Sequence, residues 1–165
     1  MTDPAELPID APSFRTVCGH FATGITIITA VDGGEPVGMA ANSFTSVSLD
    51  PPLVLFCADH TSSTWPRIQA ANSFAVNILN SNQEEVCRAF ATKGADRFRG
   101  LGWRPGTKSG SPVLHDALAF LDCTIEAQHE AGDHMIVVGR VHEMGVIEEH
   151  APLLFYRGGY GRFEV

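Results

Sequence analysis

A segment in the last third of the chain alternates between apolar and polar residues, and it constrains the fold more than any other feature. One face carries Ala119, Leu121, Cys123, Ile125 and Ala127, and the other carries Asp122, Thr124, Glu126 and Gln128. Since successive side chains of a β-strand point to opposite faces, the alternation predicts a half-buried antiparallel strand. The turn sequence EAGD follows, and HMIVVGRVHEMGVI is predicted to run back beside it.

Other segments also favour β-structure over helix. The β-branched run ITIITAV is predicted to be a strand, and the sequence Asp32-Gly33-Gly34 that follows it is typical of a hairpin turn. A second strand is predicted over 36–44. LVLFCA and FAVNIL are predicted buried strands, and LLFYRGGYGRF is a last strand with a glycine break. Strands joined as hairpins, with few helices, predict a mainly β protein built as an antiparallel barrel.

Three short helices are predicted between these strands. Helical spacing of apolar residues places one over 13–21 with Ser13 as its cap, one over 61–71 with Pro66 in its first turn, and one over 82–91 with Asn82 as its cap. The segment 94–112 is rich in Gly, Pro and charge, so it is predicted to be a long functional loop with one helical turn.

Charge and composition exclude several classes of function. The formal net charge of −8 argues against a nucleic-acid partner. No apolar run approaches the roughly 18 residues that span a bilayer. The acidic, Pro-rich N-terminus does not resemble a signal peptide, so the cytoplasm is the expected location, with a flexible tail over 1–12 and one domain over 13–165. Four widely spaced cysteines lack a C-x-x-C pattern and are expected to be buried, reduced thiols.

Positive charge is concentrated in one segment of this acidic chain. Five of the 11 Lys and Arg residues lie between 93 and 108, where the only acid is Asp96. They are Lys93, Arg97, Arg99, Arg104 and Lys108. The segment is either a solvated loop or a local site for the anionic group of a phosphorylated ligand.

Several motifs in a fixed order resemble one known family. The strings TGITIITA, VGMAANSFTSVSLDPPLVLFC, FAVNIL, RFRGLGW, AGDH and LLFYRGGYG span nearly the whole chain from Phe14 to Gly161. Together they resemble the short-chain flavin reductases, the small reductase components of two-component flavin-dependent monooxygenases. The resemblance implies that the chain folds as an FMN-binding split β-barrel and forms a homodimer. It also implies that the protein binds FMN or FAD and takes electrons from NADH or NADPH, of which NADH is favoured.

The segment 38–52 has the residue types that a flavin needs. Small residues let a flat ring approach the backbone, and hydroxyl and amide side chains bond to its polar edge. The resemblance places Met39 to Ser43 and Ser48 to Asp50 beside the isoalloxazine; the alternative is a strand and turn with no ligand. The predicted cofactor-binding residues are Gly38, Met39, Ala40, Ala41, Asn42, Ser43, Ser46, Ser48, Leu49 and Asp50.

A second group of residues is predicted to bind the flavin ribityl chain or phosphate. Ser62, Ser63 and Thr64 precede a predicted helix, where free amides favour an anion, although plain helix capping is the alternative. The resemblance adds Phe90, Lys93 and Arg97. Lys93 ranks above Arg97, because Arg97 could equally pair with a surface carboxylate.

The predicted nicotinamide site has two parts. Gly132-Asp133-His134 matches the family's GDH motif; His134 is the candidate catalytic residue, with Asp133 orienting it or only shaping the turn. Arg157, Gly158 and Tyr160 are predicted to contact the nicotinamide nucleotide, or else to form a strand bulge. His129 and His134 lack a third ligand, so no metal site is predicted.

The chain is therefore predicted to reduce free FMN or FAD with a nicotinamide nucleotide and to supply a partner monooxygenase with reduced flavin. The absence of G-x-G-x-x-G opening a helix argues against a separate Rossmann site, and the absence of G-x-S-x-G argues against a hydrolase. Two alternatives remain at this point: an oxidase of the pyridoxamine-phosphate type, and a non-catalytic flavin carrier or sensor.

Overall fold

The computed structural model describes residues 6–164. Within that range it contains twelve strands and three short helices. The strands are β1 (Thr23–Gly24), β2 (Thr26–Asp32), β3 (Glu35–Ala41), β4 (Thr45–Leu49), β5 (Pro52–Asp59), β6 (Ser73–Ile78), β7 (Trp103–Pro105), β8 (Pro112–Leu114), β9 (Ala119–Ala131), β10 (His134–Val146), β11 (Leu153–Tyr156) and β12 (Gly159–Arg162). The helices are α1 (Ala11–Cys18), α2 (Trp65–Ala71) and α3 (Glu84–Ala91).

One large antiparallel sheet organises the molecule. Its seven strands run in the order β3-β2-β6-β9-β10-β5-β4, and smaller sheets contain β1-β11-β12 and β7-β8. The predicted mainly β architecture with short helices is confirmed. Over residues 6–164 the large sheet does not close, because β3 and β4 are its two edges.

The two larger apolar clusters of the described residues stabilise the sheet. The first packs α2 against the sheet, with the Phe56 ring edge-to-face against Trp65 and Phe74 at centroid distances of 6.1 and 5.1 Å. The second surrounds Phe90 of α3 and Leu153 of β11, both of which are buried. Phe90 therefore anchors α3 to β2 and β3, the strands that lead into the candidate site.

The predicted solvent face of β9 is wrong at Asp122. This side chain is fully buried, whereas Glu126 and Gln128 further along the strand are exposed as predicted. The Asp122 carboxylate accepts hydrogen bonds from the Lys108 backbone N–H at 2.9 Å, the Ser109 N–H at 3.1 Å and the Ser109 hydroxyl. The loop over 106–111 covers this face of the strand, and these bonds compensate the burial of the carboxylate.

The predicted helix starts differ from the observed ones. Asp10 caps α1, because its Oδ1 accepts a hydrogen bond of 2.8 Å from the Ser13 N–H; Ser13 lies inside the first turn. The helix thus extends into the predicted tail, of which residues 1–5 lie outside the described residues. The N-cap of α3 is Gln83, and neither it nor Asn82 makes a side-chain capping bond to the helix. Cys18 is exposed, contrary to the expectation of burial.

Two segments contain more strand than predicted. The C-terminal run is a hairpin of β11 and β12, because Arg157 and Gly158 adopt φ values of 50° and 78° and form a tight turn. The predicted strand bulge is therefore a two-residue turn. The long loop over 94–112 contributes β7 and, from its end, β8, which pair with each other. The Gly33-Gly34 hairpin turn between β2 and β3 is confirmed.

Candidate functional site

A polar cavity opens between β3, the segment before α2 and the end of α3. Its volume is about 390 Å³. Its walls are Met39, Ala40, Thr61, Ser62, Ser63, Thr64, Phe90, Ala91, Lys93 and Arg97. Eight of these ten were predicted to bind the flavin, and only Thr61 and Ala91 were not. We call this space the first cavity.

Gly38 is buried behind the wall that Phe90 and Met39 form. A Cβ atom at this position would lie 2.6 Å from Cε1 of Phe90 and 3.0 Å from the Ile28 carbonyl oxygen. The first distance is too short for a real contact and the second is tighter than most, so glycine lets α3 approach β3 this closely. The glycine thus positions Phe90 at the cavity wall.

Arg97 connects three of the elements around the cavity. Its Nη1 donates to the Gly38 carbonyl at 2.6 Å and to the Thr64 hydroxyl at 2.7 Å, and its Nη2 donates to the Thr92 carbonyl at 3.2 Å. Among residues 6–164, no carboxylate oxygen lies within 4.0 Å of its guanidinium, so the surface ion pair considered above does not form. Partial burial lowers the pKa of Arg97, yet the guanidinium stays charged.

Lys93 supplies the second positive charge of the first cavity. Its side chain is exposed and lies between α3 and the loop that carries Arg97. No Asp or Glu is among the residues that line this cavity. The first cavity is therefore a local cationic site on an acidic chain, as one of the two interpretations of the basic segment predicts.

The hydroxyl residues before α2 are arranged for capping. Ser62 Oγ accepts hydrogen bonds of 3.2 Å from the N–H groups of Thr64 and Trp65. Two of the amides predicted to be free for a phosphate are therefore already bonded. Asp59 Oδ1 accepts from both the N–H and the hydroxyl of Thr61 at 2.7 Å, which lowers the pKa of Asp59. The groups that a ligand could contact here are therefore hydroxyls and the neighbouring cations.

A larger, more apolar cleft of about 920 Å³ lies on the other side of the end of β3. One wall is α1 and the segment after it, where Phe14 and Phe21 are 69% and 78% exposed. The opposite wall contains Asn42 and Ser43, and the predicted nicotinamide residues Asp133, His134 and Gly158. We call this space the cleft.

His134 and Asp133 form a pair at the rim of the cleft. His134 Nδ1 lies 2.7 Å from Asp133 Oδ1, and this hydrogen bond lowers the pKa of Asp133. An ionised Asp133 accepts a hydrogen bond from the Nδ1–H group of His134, which leaves Nε2 for a ligand. The contact joins the two side chains directly, which favours the orienting role of Asp133 over a role in the turn alone.

Besides the buried Gly38, seven predicted site residues line neither the first cavity nor the cleft. They are Ala41, Ser46, Ser48, Leu49, Asp50, Arg157 and Tyr160. Ser46 to Asp50 lie on β4 and the turn after it at the sheet edge, where Leu49 is 94% exposed. Arg157 is exposed in the β11–β12 turn, where its N–H donates to the Gly19 carbonyl at 2.9 Å.

Tyr160 is occupied by contacts within the chain. Its hydroxyl lies 3.5 Å from Cys87 Sγ, and the Arg88 guanidinium lies 4.7 Å above the centre of its ring. The hydrogen bond with Cys87 and partial burial raise the pKa of Tyr160 to about 12. In this structure Tyr160 thus attaches β12 to α3 and does not reach the cleft.

The aromatic wall of α1 was missed by the sequence reasoning. The helical spacing of Phe14 and Phe21 was used only to predict a helix, and neither residue was assigned to the site. No residue of α1 is buried. Phe14, Val17 and Cys18 give the helix an apolar face, and Phe21 follows it because α1 ends at Cys18 and not at residue 21 as predicted. The spacing does not show whether the chain itself covers that face.

Neither a metal site nor a membrane span emerges from the described part of the chain. No three His, Cys, Asp or Glu side chains between residues 6 and 164 are grouped so that they could bind a metal ion. No helix in that range has the length and apolar character required to cross a bilayer.

Comparison with known proteins decides the family. The model of the flavin reductase like domain matches residues 18–164. This chain belongs to that family. The reductase subunit HsaB of a flavin-dependent monooxygenase from Rhodococcus jostii (strain RHA1) is 47% identical to this flavin reductase domain over 156 residues, covering 94% of the chain and 80% of the relative. A flavin reductase from Pseudomonas putida is 49% identical over 156 residues, covering 94% and 91%.

A solved structure agrees with the family assignment. NADH:FAD oxidoreductase SgcE6 from Streptomyces globisporus C-1027, in complex with NAD and FAD fragments, superposes with a TM-score of 0.90 at 42% identity. The match covers 97% of this flavin reductase domain and 98% of that chain. The predicted resemblance to the flavin reductases is confirmed.

Proposed function

We propose that this protein transfers a hydride from NADH to FMN or FAD and supplies the reduced flavin to a partner monooxygenase. Its relatives include NADH-dependent reductases of both flavins and reductase subunits of two-component monooxygenases, so the predicted activity and cofactors are confirmed at that level. The observation that carries the proposal is the position of β3. Its end, together with Asn42 and Ser43, joins a cationic cavity to an apolar cleft.

The residues of the first cavity fit a flavin phosphate. Lys93 and Arg97 provide two positive charges without a competing carboxylate, and Ser63 and Thr64 provide hydroxyl groups. From that anchor the flavin ring would lie along Met39 and Ala40 towards the cleft. Small side chains there let a planar ring contact the backbone, while the Asn42 side chain offers hydrogen bonds to its polar edge. The Ser43 hydroxyl already donates to the Cys57 carbonyl at 3.2 Å and accepts from the Cys57 N–H at 2.9 Å, so it supports this segment from β5.

The residues of the cleft fit a nicotinamide. Phe14 and Phe21 offer apolar, aromatic surface to a flat ring, and His134 offers Nε2 to a carboxamide. When bound, the two cofactors supply the hydride donor and acceptor themselves. The chain's part is to hold the rings face to face and to exclude water, and His134 and Phe14 line the cleft where this would occur.

We further propose the split-barrel homodimer that the family resemblance implies. Ser46, Ser48, Leu49 and Asp50 contribute to neither space within one chain, although the resemblance places Ser48 to Asp50 beside the flavin. They lie on edge strand β4 and the turn after it, and Val47 and Leu49 of this strand are 48% and 94% exposed. Exposed apolar side chains on a sheet edge are typical of an interface. A second copy of the chain at this edge would give these residues a place in the flavin site.

The test of the function is an NADH oxidation assay with excess free FMN or FAD. Turnover of many equivalents of NADH per protein supports a reductase that uses flavin as a diffusible substrate. A flavin carrier would bind the flavin without oxidising NADH. An oxidase of the pyridoxamine-phosphate type would instead reduce a tightly held FMN with an amine, and either result overturns the proposal. The cytoplasmic location stays a prediction.

We expect His134→Ala to raise the KM for NADH about tenfold, or to slow hydride transfer by that factor, and to leave the Kd for FMN unchanged. The reason is that His134 lines the cleft and not the first cavity. Stopped-flow flavin bleaching and flavin fluorescence titration measure the two quantities. The matched control is His129→Ala, an exposed histidine on β9 that lines neither space. Unchanged kinetics in His134→Ala would remove His134 from the site.

A further inference from the structure

A second cavity of about 270 Å³ adjoins the first. The two spaces share Ser63, Thr64 and Arg97 as a common wall. On the far side of that wall the second cavity is lined by Arg67, Asp96 and Phe98. Together the two spaces fall within the range of roughly 300–1,000 Å³ that is typical of small-molecule sites. A ligand that passes Arg97 could therefore occupy both.

The two cavities differ in charge. Lys93 and Arg97 face the first cavity with no carboxylate beside them. In the second cavity, Arg67 is already paired with Asp32 at 2.7 Å and with Glu35 at 3.5 Å, and Asp96 adds a further negative charge. A phosphate is therefore attracted to the first cavity and the shared wall. The second cavity suits a neutral group.

The side chains of the second cavity favour a flat, amino-bearing heterocycle. Phe98 is held edge-to-face against Phe90 at 5.1 Å and presents an aromatic surface. Asp32 holds the planar Arg67 guanidinium in place, and a guanidinium of this kind stacks on aromatic rings. The Asp96 carboxylate can accept a hydrogen bond from an exocyclic amine. Adenine carries such an amine and a flat π-surface.

We infer that the second cavity binds the adenosine portion of FAD, so that FAD rather than FMN is the preferred flavin of this protein. The inference rests on the proposed function, because it assumes that the flavin phosphate lies in the first cavity. FMN ends at that phosphate and leaves the second cavity empty. The pyrophosphate of FAD would pass the shared wall, where Arg97 is a cation that pairs with no carboxylate of the described residues.

The test compares the KM for FAD with the KM for FMN in NADH oxidation by the full-length protein. We expect the native chain to prefer FAD by about tenfold or more, and Ala95→Trp to remove that preference by raising only the KM for FAD. Ala95 lines the second cavity and not the first, so the indole would fill the adenosine space. Ala70→Trp, on the exposed side of α2 outside both cavities, is the control and should keep the preference.

The possible outcomes separate the two proposals. If neither flavin supports NADH oxidation, the proposed function fails. If both are reduced with equal KM, or if Ala95→Trp weakens FMN as much as FAD, the function stands and the adenosine site is overturned. A raised KM for NADH alone in Ala95→Trp would assign the cavity to the nicotinamide nucleotide and overturn it too. Should Ala95→Trp fail to fold, Asp96→Ala gives the same contrast, with a KM for FAD raised severalfold.

Discussion

Arg97→Met is expected to raise the KM for FMN by about 100-fold, the effect of losing one or two charge-assisted hydrogen bonds. Arg97 is the partly buried cation of the first cavity, and no described carboxylate neutralises it. A bound phosphate would supply that missing negative charge. Methionine keeps the apolar stem but removes both the charge and the bonds to Gly38 and Thr64. Steady-state kinetics at varied flavin concentration measures the change.

Riboflavin separates a phosphate contact from a purely structural role of Arg97. It carries the same ring without a phosphate, so its KM should change far less than that of FMN if Arg97 contacts the phosphate. An equal loss for both flavins would show that Arg97 only supports the cavity wall, and would contradict the prediction. Arg99→Met is the matched control, because Arg99 is an exposed arginine two residues further along that lines neither cavity.

Asp122→Ala is expected to lower the free energy of unfolding by about 3 kcal/mol, because it removes the buried acceptor of three hydrogen bonds and leaves their partly buried donors on Lys108 and Ser109 unpaired. For a chain of this size that corresponds to a Tm lower by roughly 6–12 °C. Differential scanning calorimetry measures both quantities. The loop over 106–111 should also become sensitive to proteolysis, since its anchor is gone.

Two further variants delimit the role of Asp122. Asp122→Asn keeps one acceptor oxygen and should lose about half as much stability. Glu126→Ala removes an exposed carboxylate of the same strand, whose partner is Arg140, and should change the Tm little. If Asp122→Ala is as stable as Glu126→Ala, the buried carboxylate does not anchor the loop.

The features predicted well from the sequence depend on local chemistry. Gly33 and Gly34 define a turn between adjacent strands, and the AGD turn lies between β9 and β10, because φ preferences act over a few residues. Met39, Phe90 and Arg97 were grouped by the family resemblance, and the structure brings them to one cavity. Spacing alone would not have done so, since 58 residues separate the first from the last.

The features predicted poorly depend on whether another part of the chain packs over a given side chain. Asp122 follows the polar positions of an alternating strand, and no property of that strand shows that the loop containing Lys108 and Ser109, which lies 13 to 14 residues earlier, closes over that face. Phe14 lies on an apolar helical face that the chain leaves open. Ser46 and Leu49 face outward at a sheet edge. In each case the missing information is what lies opposite the side chain, which periodicity cannot supply.

The openness of α1 has a consequence for how the protein responds to its substrates. An eight-residue helix without a buried side chain has little intrinsic stability, and its far end is attached through the bond from the Arg157 N–H to Gly19. Local opening of α1 therefore costs little free energy. Its amides should exchange with deuterium faster than those of β9, and a nicotinamide seated against Phe14 should slow that exchange. Part of the binding free energy would then be spent on ordering one wall of the cleft.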